Sequence, residues 1–355
     1  MPTGTYTIDT LLAAKNQSVA SFGLDNIQPI LAADLAAYNA VVDGMFSELC
    51  EVTTDRQRIY GSSTSGEMVE VDEFGKAATQ NASVGSQVAF PLRKFQYPVG
   101  WTADWFKKHT PADMAVQMQA AQMAHLRMLK REIARAIFGA ANYSITDRFV
   151  DNVSLSVKRL VNADSAAIPD GPFGETFDSS THSHYNGTAS FVVGDLDTAI
   201  NDLVEHGHGQ GVRIAINRAQ LSTVVAFSGV LKATFDNVVL SQAADAFAVR
   251  RDAGNITLDD FTAGTYNGAE IVVRPWVPSG YLLAWASGDT RKPLVLRRDT
   301  DADGNMPGLT LAAEYADHPL YAKMFEMYVG AGVYNRTNGV ALYTGNATYA
   351  SPTIS

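Results

Sequence analysis

The chain has 355 residues, of which 46% are hydrophobic and 18% charged, with a formal net charge of −10. That length accommodates two or three packed units, while the acidic balance argues against a protein whose main task is to grip DNA or RNA. A single cysteine, Cys50, excludes an intramolecular disulfide framework, and no apolar run is long enough to cross a membrane.

The N-terminal residues MPTGTYTIDTLLAAKNQ lack the basic and apolar regions of a secretory signal. Residues 1–45 hold two short helix-like pieces, one opening at Asp9 and one covering Pro29 to Tyr38. Neither can form a core by itself, so the segment is expected to pack as an arm on something else. Residues 46–100 turn polar and rich in Gly and Ser, with strand-like stretches at Met68–Asp72 and Gln87–Leu92. The simplest account is a long hairpin that protrudes from the body and has little core of its own.

The most strongly patterned stretch is TPADMAVQMQAAQMAHLRMLKREIARAIFG, residues 110–139. Thr110 suits an N-cap, Pro111 the first helical position, Asp113 the third, and Gly139 the stop. The spacing predicts one helix about 40 Å long. Met118, Leu126, Leu129, Ile133 and Ile137 form an apolar stripe that calls for a sheet beneath it. Arg127, Arg131 and Arg135 form a separate basic stripe, expected as a solvated face or as inter-subunit salt bridges in preference to a nucleic-acid contact. Trp101, Trp105 and Phe106, just before the helix, are expected to pack internally.

Residues 140–192 are loop-rich, with one strand candidate at Val153–Val157. A helix is expected from Asp195 to His206, a buried strand at Val212–Ile216 and a short helix from Arg218 to Phe227. Strands follow at Ile256–Phe261, Ala269–Arg274, Tyr281–Trp285, Leu294–Leu296, Leu309–Tyr315 and Ala322–Arg336, which gives an α+β chain.

A search for chemistry finds little. There is no phosphate loop and no G-x-S-x-G elbow. Two H-x-H pairs, His182/His184 and His206/His208, each lack a nearby third ligand in sequence, so turn or interface histidines are the plainer reading and no metal is assigned. The run Asp299-x-Asp301-x-Asp303-Gly304 matches half of a calcium loop, but Thr310 stands where the bidentate Glu belongs and Pro307 lies inside. A polar turn is expected there. No catalytic residue and no cofactor is nominated.

The order of these parts resembles the HK97-like major capsid proteins of tailed phages. Phe90-Pro-Leu-Arg-Lys-Phe-Gln-Tyr-Pro-Val-Gly-Trp101 is similar to the returning arm of that family's extended E-loop. Ser183-His-Tyr185 with Gly194 to Gly207 resembles a subgroup of the family. Ala269 to Tyr281 resembles a strand and turn late in the A-domain, and Glu314-Tyr315 with His318-Pro-Leu320 and Gly330 to Arg336 resembles the closing P-domain strands.

The resemblance implies an α+β fold with an N-terminal arm (1–45), an E-loop (46–100), a P-domain (101–194) carrying the spine helix 110–139, an A-domain (195–317) and returning P-domain strands (318–355). It implies a non-enzymatic shell subunit that forms pentamers and hexamers of itself. Portal, scaffold and cement proteins would be its partners, and it would enclose double-stranded DNA without sequence-specific binding or membrane contact. Its location would be the virion capsid, after synthesis in a bacterial cytoplasm. Lys76, Arg127, Arg131 and Arg135 are the expected subunit-interface residues. Some family members cross-link a hairpin Lys to an Asn, for which Lys76 with Asn335, Asn338 or Asn346 would be the pair, although a non-covalent shell is the expectation. The arm is too short for an added scaffolding domain, so a separate scaffold or none is expected. A cellular encapsulin shell and a cytoplasmic α+β enzyme are the rival readings.

Overall fold

The computed structural model describes residues 8–14, 16–62, 66, 68–81, 84–161, 163–232 and 261–354. Three helices open the chain: α1 (Ile8–Ala13), α2 (Val19–Phe22) and α3 (Leu24–Phe46). The two short pieces expected before residue 45 understate this segment, because α3 runs for 23 residues with Pro29 inside it. Pro29 lies close enough to the N-terminus that only one early carbonyl, that of Asp25, loses its helical partner. Ile27, Ile30, Leu31, Val42 and Phe46 bury one face of α3.

The strands β1 (Cys50–Thr53), β2 (Gln57–Tyr60), β3 (Ser86–Ala89) and β4 (Arg93–Thr102) come next, then α4 (Ala103–Lys108) and α5 (Pro111–Phe138). β2 and β3 pair antiparallel, Gln57 opposite Ala89 and Tyr60 opposite Ser86. The outgoing strand of the hairpin therefore lies at 57–60, not at Met68–Asp72. The alternation of Met68, Val69, Glu70 and Val71 imitates a strand, but these residues pair with nothing among the described residues and are solvent-exposed.

The α5 ends fall where the sequence predicts, although Gly139 stops the helix in an extended conformation (φ −72°) and not the left-handed one, its lack of a Cβ sparing a 2.7 Å approach to the Arg135 carbonyl. The Thr110 side chain accepts from the Asp113 amide while the Asp113 carboxylate accepts from the Thr110 amide, a reciprocal capping box. Leu129, Ile133 and Ile137 are each at most 1% exposed, burial worth about 1.5–3 kcal/mol per side chain. Trp101 and Phe106 are buried and Trp105 partly so, the three rings meeting one another with centroids 5.7 to 6.0 Å apart.

The remaining elements are β5 (Tyr143–Thr146), β6 (Ser154–Val157), β7 (Tyr185–Gly187), α6 (Val193–Val204), β8 (Val212–Ile216), α7 (Leu221–Val224), β9 (Leu231–Lys232), β10 (Phe261–Tyr266), β11 (Ala269–Val273), β12 (Tyr281–Ala286), β13 (Leu294–Arg298), β14 (Thr310–Asp317), β15 (Leu320–Val333) and β16 (Val340–Tyr343). The strand expected from Ile256 lies outside the described residues up to Phe261, where β10 starts. The short helix expected from Arg218 splits into a 3-10 turn at Arg218–Gln220 and the single turn α7.

Two sheets organise the described chain. In the first, β15 is the axis: its Leu320–Val329 portion pairs with β4, Leu320–Glu326 with β14, and Val329–Val333 with β13, which in turn pairs in parallel with β1. The apolar side of α5 lies on this sheet, through β15 and β4. Gly330 and Gly332 let the backbone of β15 approach the Phe90–Pro91 segment; a Cβ on Gly330 would collide with the Pro91 carbonyl, and one on Gly332 would come within 2.6 Å of the Phe90 ring. Cys50, at the head of β1, is 4% exposed in the same core. The second sheet has the order β7-β16-β12-β8-β11-β10-β9, with α6 packed on β12 and β16. Leu196, Ile200 and Leu203 of α6 close a separate core against it.

The sheets do not divide at the boundaries drawn from sequence. Residues 294–317 join the first sheet through β13 and β14, whereas β16, near the C-terminus, crosses to the second.

Candidate functional site

The structure presents two kinds of functional feature: projecting segments that lack a core of their own, and an inward cluster of histidines. The first projection is the tip between β2 and β3. Met68 and Phe74 are essentially fully exposed, and Val69, Val71 and Val84 largely so. Lys76 lies on this tip, exposed.

The second is β14, the outer strand of the β14–β15 hairpin. Every β14 residue after Thr310 is exposed, so the strand is wet on both faces, and Leu311, Tyr315 and Leu320 offer apolar surface there. β14 bonds to β15 on one side, and among the described residues its other edge pairs with no strand. Such an edge is a template for another chain. Lys323 reaches back across the hairpin to Glu314, 2.5 Å away, and Gln28 of α3 to the same carboxylate at 3.4 Å. The calcium-like run is a turn: the Asp301 amide donates to the Asn305 carbonyl at 2.8 Å, and the Asp301 carboxylate accepts from the amides of Asp303 and Asn305.

The three stripe arginines do not share one environment. Arg127 is exposed, as a contact residue would be. Arg131 is half-buried, with its Nε lacking a partner among the described residues. Arg135 is engaged within the chain: one nitrogen donates to Glu132 at 3.0 Å and another to the Ile354 carbonyl at 3.1 Å. Glu132 also takes Arg93 of β4, so this end of the stripe ties helix, sheet and C-terminal tail together. The cause is simple. A helix lying on a sheet beside the returning tail exposes less of its circumference than its sequence pattern suggests.

The histidine cluster was not legible in sequence, because each H-x-H pair lacked a local third ligand. Chain closure supplies one. β7 pairs in parallel with β16, Tyr185 opposite Ala341, and brings the end of the preceding loop beside the last turn of α6. Gly207, at φ 77°, ends that helix, with the His208 amide donating to the Leu203 carbonyl at 3.0 Å. His182 Nε2 then lies 3.2 Å from His184 Nε2 and 3.0 Å from His206 Nε2. Glu205 Oε1 is 3.4 Å from His182 Nε2, and the Phe177 ring covers His182 and His206 at 4.7 and 4.0 Å. Burial pushes His206 down to about 3, with the neighbouring His182 adding to the shift, and the same causes hold His184 well below the usual imidazole range. His208 points elsewhere, its Nδ1 2.6 Å from Asp289 and its Nε2 3.0 Å from the Thr337 hydroxyl.

In its mix of helices and sheets the chain has an HK97-like fold. A structure from Mycobacterium phage Patience matches over 99% of this chain and 96% of its own, with a TM-score of 0.64 at 20% sequence identity. The bacteriophage PhiM1 mature capsid (10% identity, 85% and 87% covered, TM-score 0.47) and the SrpI encapsulin complex of Synechococcus elongatus (11%, 87% and 90%, 0.42) are more distant. Neither a protein-family model nor a curated protein matches the sequence.

Proposed function

We propose that this chain is a major capsid protein, which assembles through copies of itself into pentamers and hexamers and so builds the icosahedral head around phage double-stranded DNA. The observation that carries this reading is the pair of exposed segments without a core of their own, the 68–81 tip and the outer strand β14, on an HK97-like fold. An exposed tip and a strand wet on both faces gain further burial only from a neighbour, and point-group symmetry supplies the same neighbour at every position. The role is structural and requires no cofactor. Residues 1–45 serve as the N-terminal arm, 46–100 as the E-loop, and the spine helix with its sheet as the P-domain; the seven-stranded sheet is the core of the A-domain. Lys76 and Arg127 are the exposed members of the expected interface set, and Arg135 contributes by tying the spine to the C-terminal tail. The net charge of −10 leaves enclosed DNA loosely held. Portal, scaffold and cement proteins complete the particle, which is built in the bacterial cytoplasm.

The test is to express the full chain, alone and with candidate scaffold, and to examine it by electron microscopy and light scattering. Closed shells or capsomer rings are expected. A monomer or dimer that persists under crowding overturns the reading, and shells that package a protein cargo instead of DNA reassign it to the encapsulins.

A further inference from the structure

Three imidazoles meeting at their Nε2 atoms pose a problem that hydrogen bonding does not solve well. Each Nε2 has one in-plane site, either a proton or a lone pair. His182 Nε2 faces two others, at 3.0 and 3.2 Å, so one proton or one lone pair must be divided between two partners. A central cation removes the difficulty by accepting all three lone pairs. In a tetrahedral zinc site with metal–nitrogen bonds near 2.05 Å, adjacent ligand nitrogens stand about 3.3 Å apart. The ligand atoms of His182, His184 and His206 all lie within 4.8 Å of one another. His184 and His206 are buried, and Phe177 closes over the cluster.

We propose that His182, His184 and His206 bind a divalent transition metal of the zinc class, with the Glu205 carboxylate or a water as fourth ligand. Imidazole donors select zinc, nickel, copper or cobalt over the oxygen-seeking calcium and magnesium. The ion is structural. It staples the end of the 163–184 loop, where the His182 amide donates to the Asp178 carbonyl at 2.8 Å, to the C-terminal end of α6. It thereby fixes the edge of the seven-stranded sheet at β7.

The full chain, stripped with a strong chelator and dialysed, is titrated with cobalt chloride and then with zinc chloride. About one cobalt per chain is expected, with the intense visible absorption of tetrahedral coordination, bleached by equimolar zinc. Zinc at about 100 times its Kd is expected to raise the melting temperature by roughly 4 °C. His182→Asn, at the least buried of the three, is expected to abolish both effects, and His109→Asn, an exposed histidine elsewhere, to leave them intact. Absorption no stronger than that of hydrated cobalt, or equal binding by H182N, overturns the proposal. The wild-type titration decides the matter even if H182N fails to fold. The site lies within one chain, so particle images of the same samples read shell formation separately from metal binding.

Discussion

Asp164 shows how a single residue can tie distant segments. Its carboxylate takes Arg336 at 2.8 Å, Lys158 at 2.7 Å and Asn142 at 2.6 Å, and the Arg336 side chain is only 2% exposed. Burial works against the charge on Asp164, but Lys158 and Arg336 outweigh it and hold the carboxyl well below its ordinary 3.8. The folded value is the lower one, so this contribution is full above about pH 4 and disappears as pH falls through the folded value. Asp164→Asn is expected to cost about 3 kcal/mol at pH 7 by stranding a buried guanidinium, and to flatten the acid limb of the stability curve, both readable by chemical denaturation. His125 behaves in the complementary way. Buried on α5 between the Tyr38 hydroxyl at 2.8 Å and the Met327 sulfur at 2.7 Å, it is pushed from 6.5 to about 4, first by burial and then by Arg298. Its neutral form is what the fold accommodates, so stability is present above pH 6.5 and declines between there and about pH 4, by about 3 kcal/mol for this group. The difference between wild type and His125→Gln across that window isolates the effect. A slope unchanged by the substitution would refute it. Neither role was legible in sequence, since both depend on partners more than 80 residues away.

At the scale of elements, α5 was readable almost to the residue because its signals are local: cap, first-turn proline, acidic third position and terminal glycine all act within one helix. Thr110→Ala is therefore expected to cost about 1 kcal/mol, measurable as a shift in denaturation midpoint at unchanged slope. β8 was equally legible, as a short branched-aliphatic run buried on both faces. The failures have a common source. Met68–Asp72 has the alternation of a strand and no partner, while β4 carries Pro98, an apparent breaker. A proline is tolerated there because β4 bonds only β15 among the described residues and leaves its other edge free. Pairing is a property of two segments, and periodicity reports on one. The same limit hid the histidine site, whose ligands come from a loop and a helix end that meet only when β7 docks on β16.

For the whole molecule, the two-sheet body and its projections differ in what holds them. The body has its own cores, and the 68–81 tip has almost none. Replacing residues 66–81 by a Gly/Ser linker of equal length is expected to leave the melting temperature of the isolated subunit within a few degrees, yet to abolish closed particles in micrographs. Particles that still form would show that the tip is dispensable for assembly. Cys50 gives the body a built-in clock. Its thiol is 4% exposed at the head of β1, and burial drives it toward the unreactive protonated form. Because the chain holds no other cysteine, a maleimide reagent is expected to modify the native subunit only as fast as the core beneath α5 opens, and a mass spectrometer can follow that reaction as a single added mass. A cysteine introduced at Lys76 would label at once, so one reagent can mark the outside of the molecule and time the exposure of its interior.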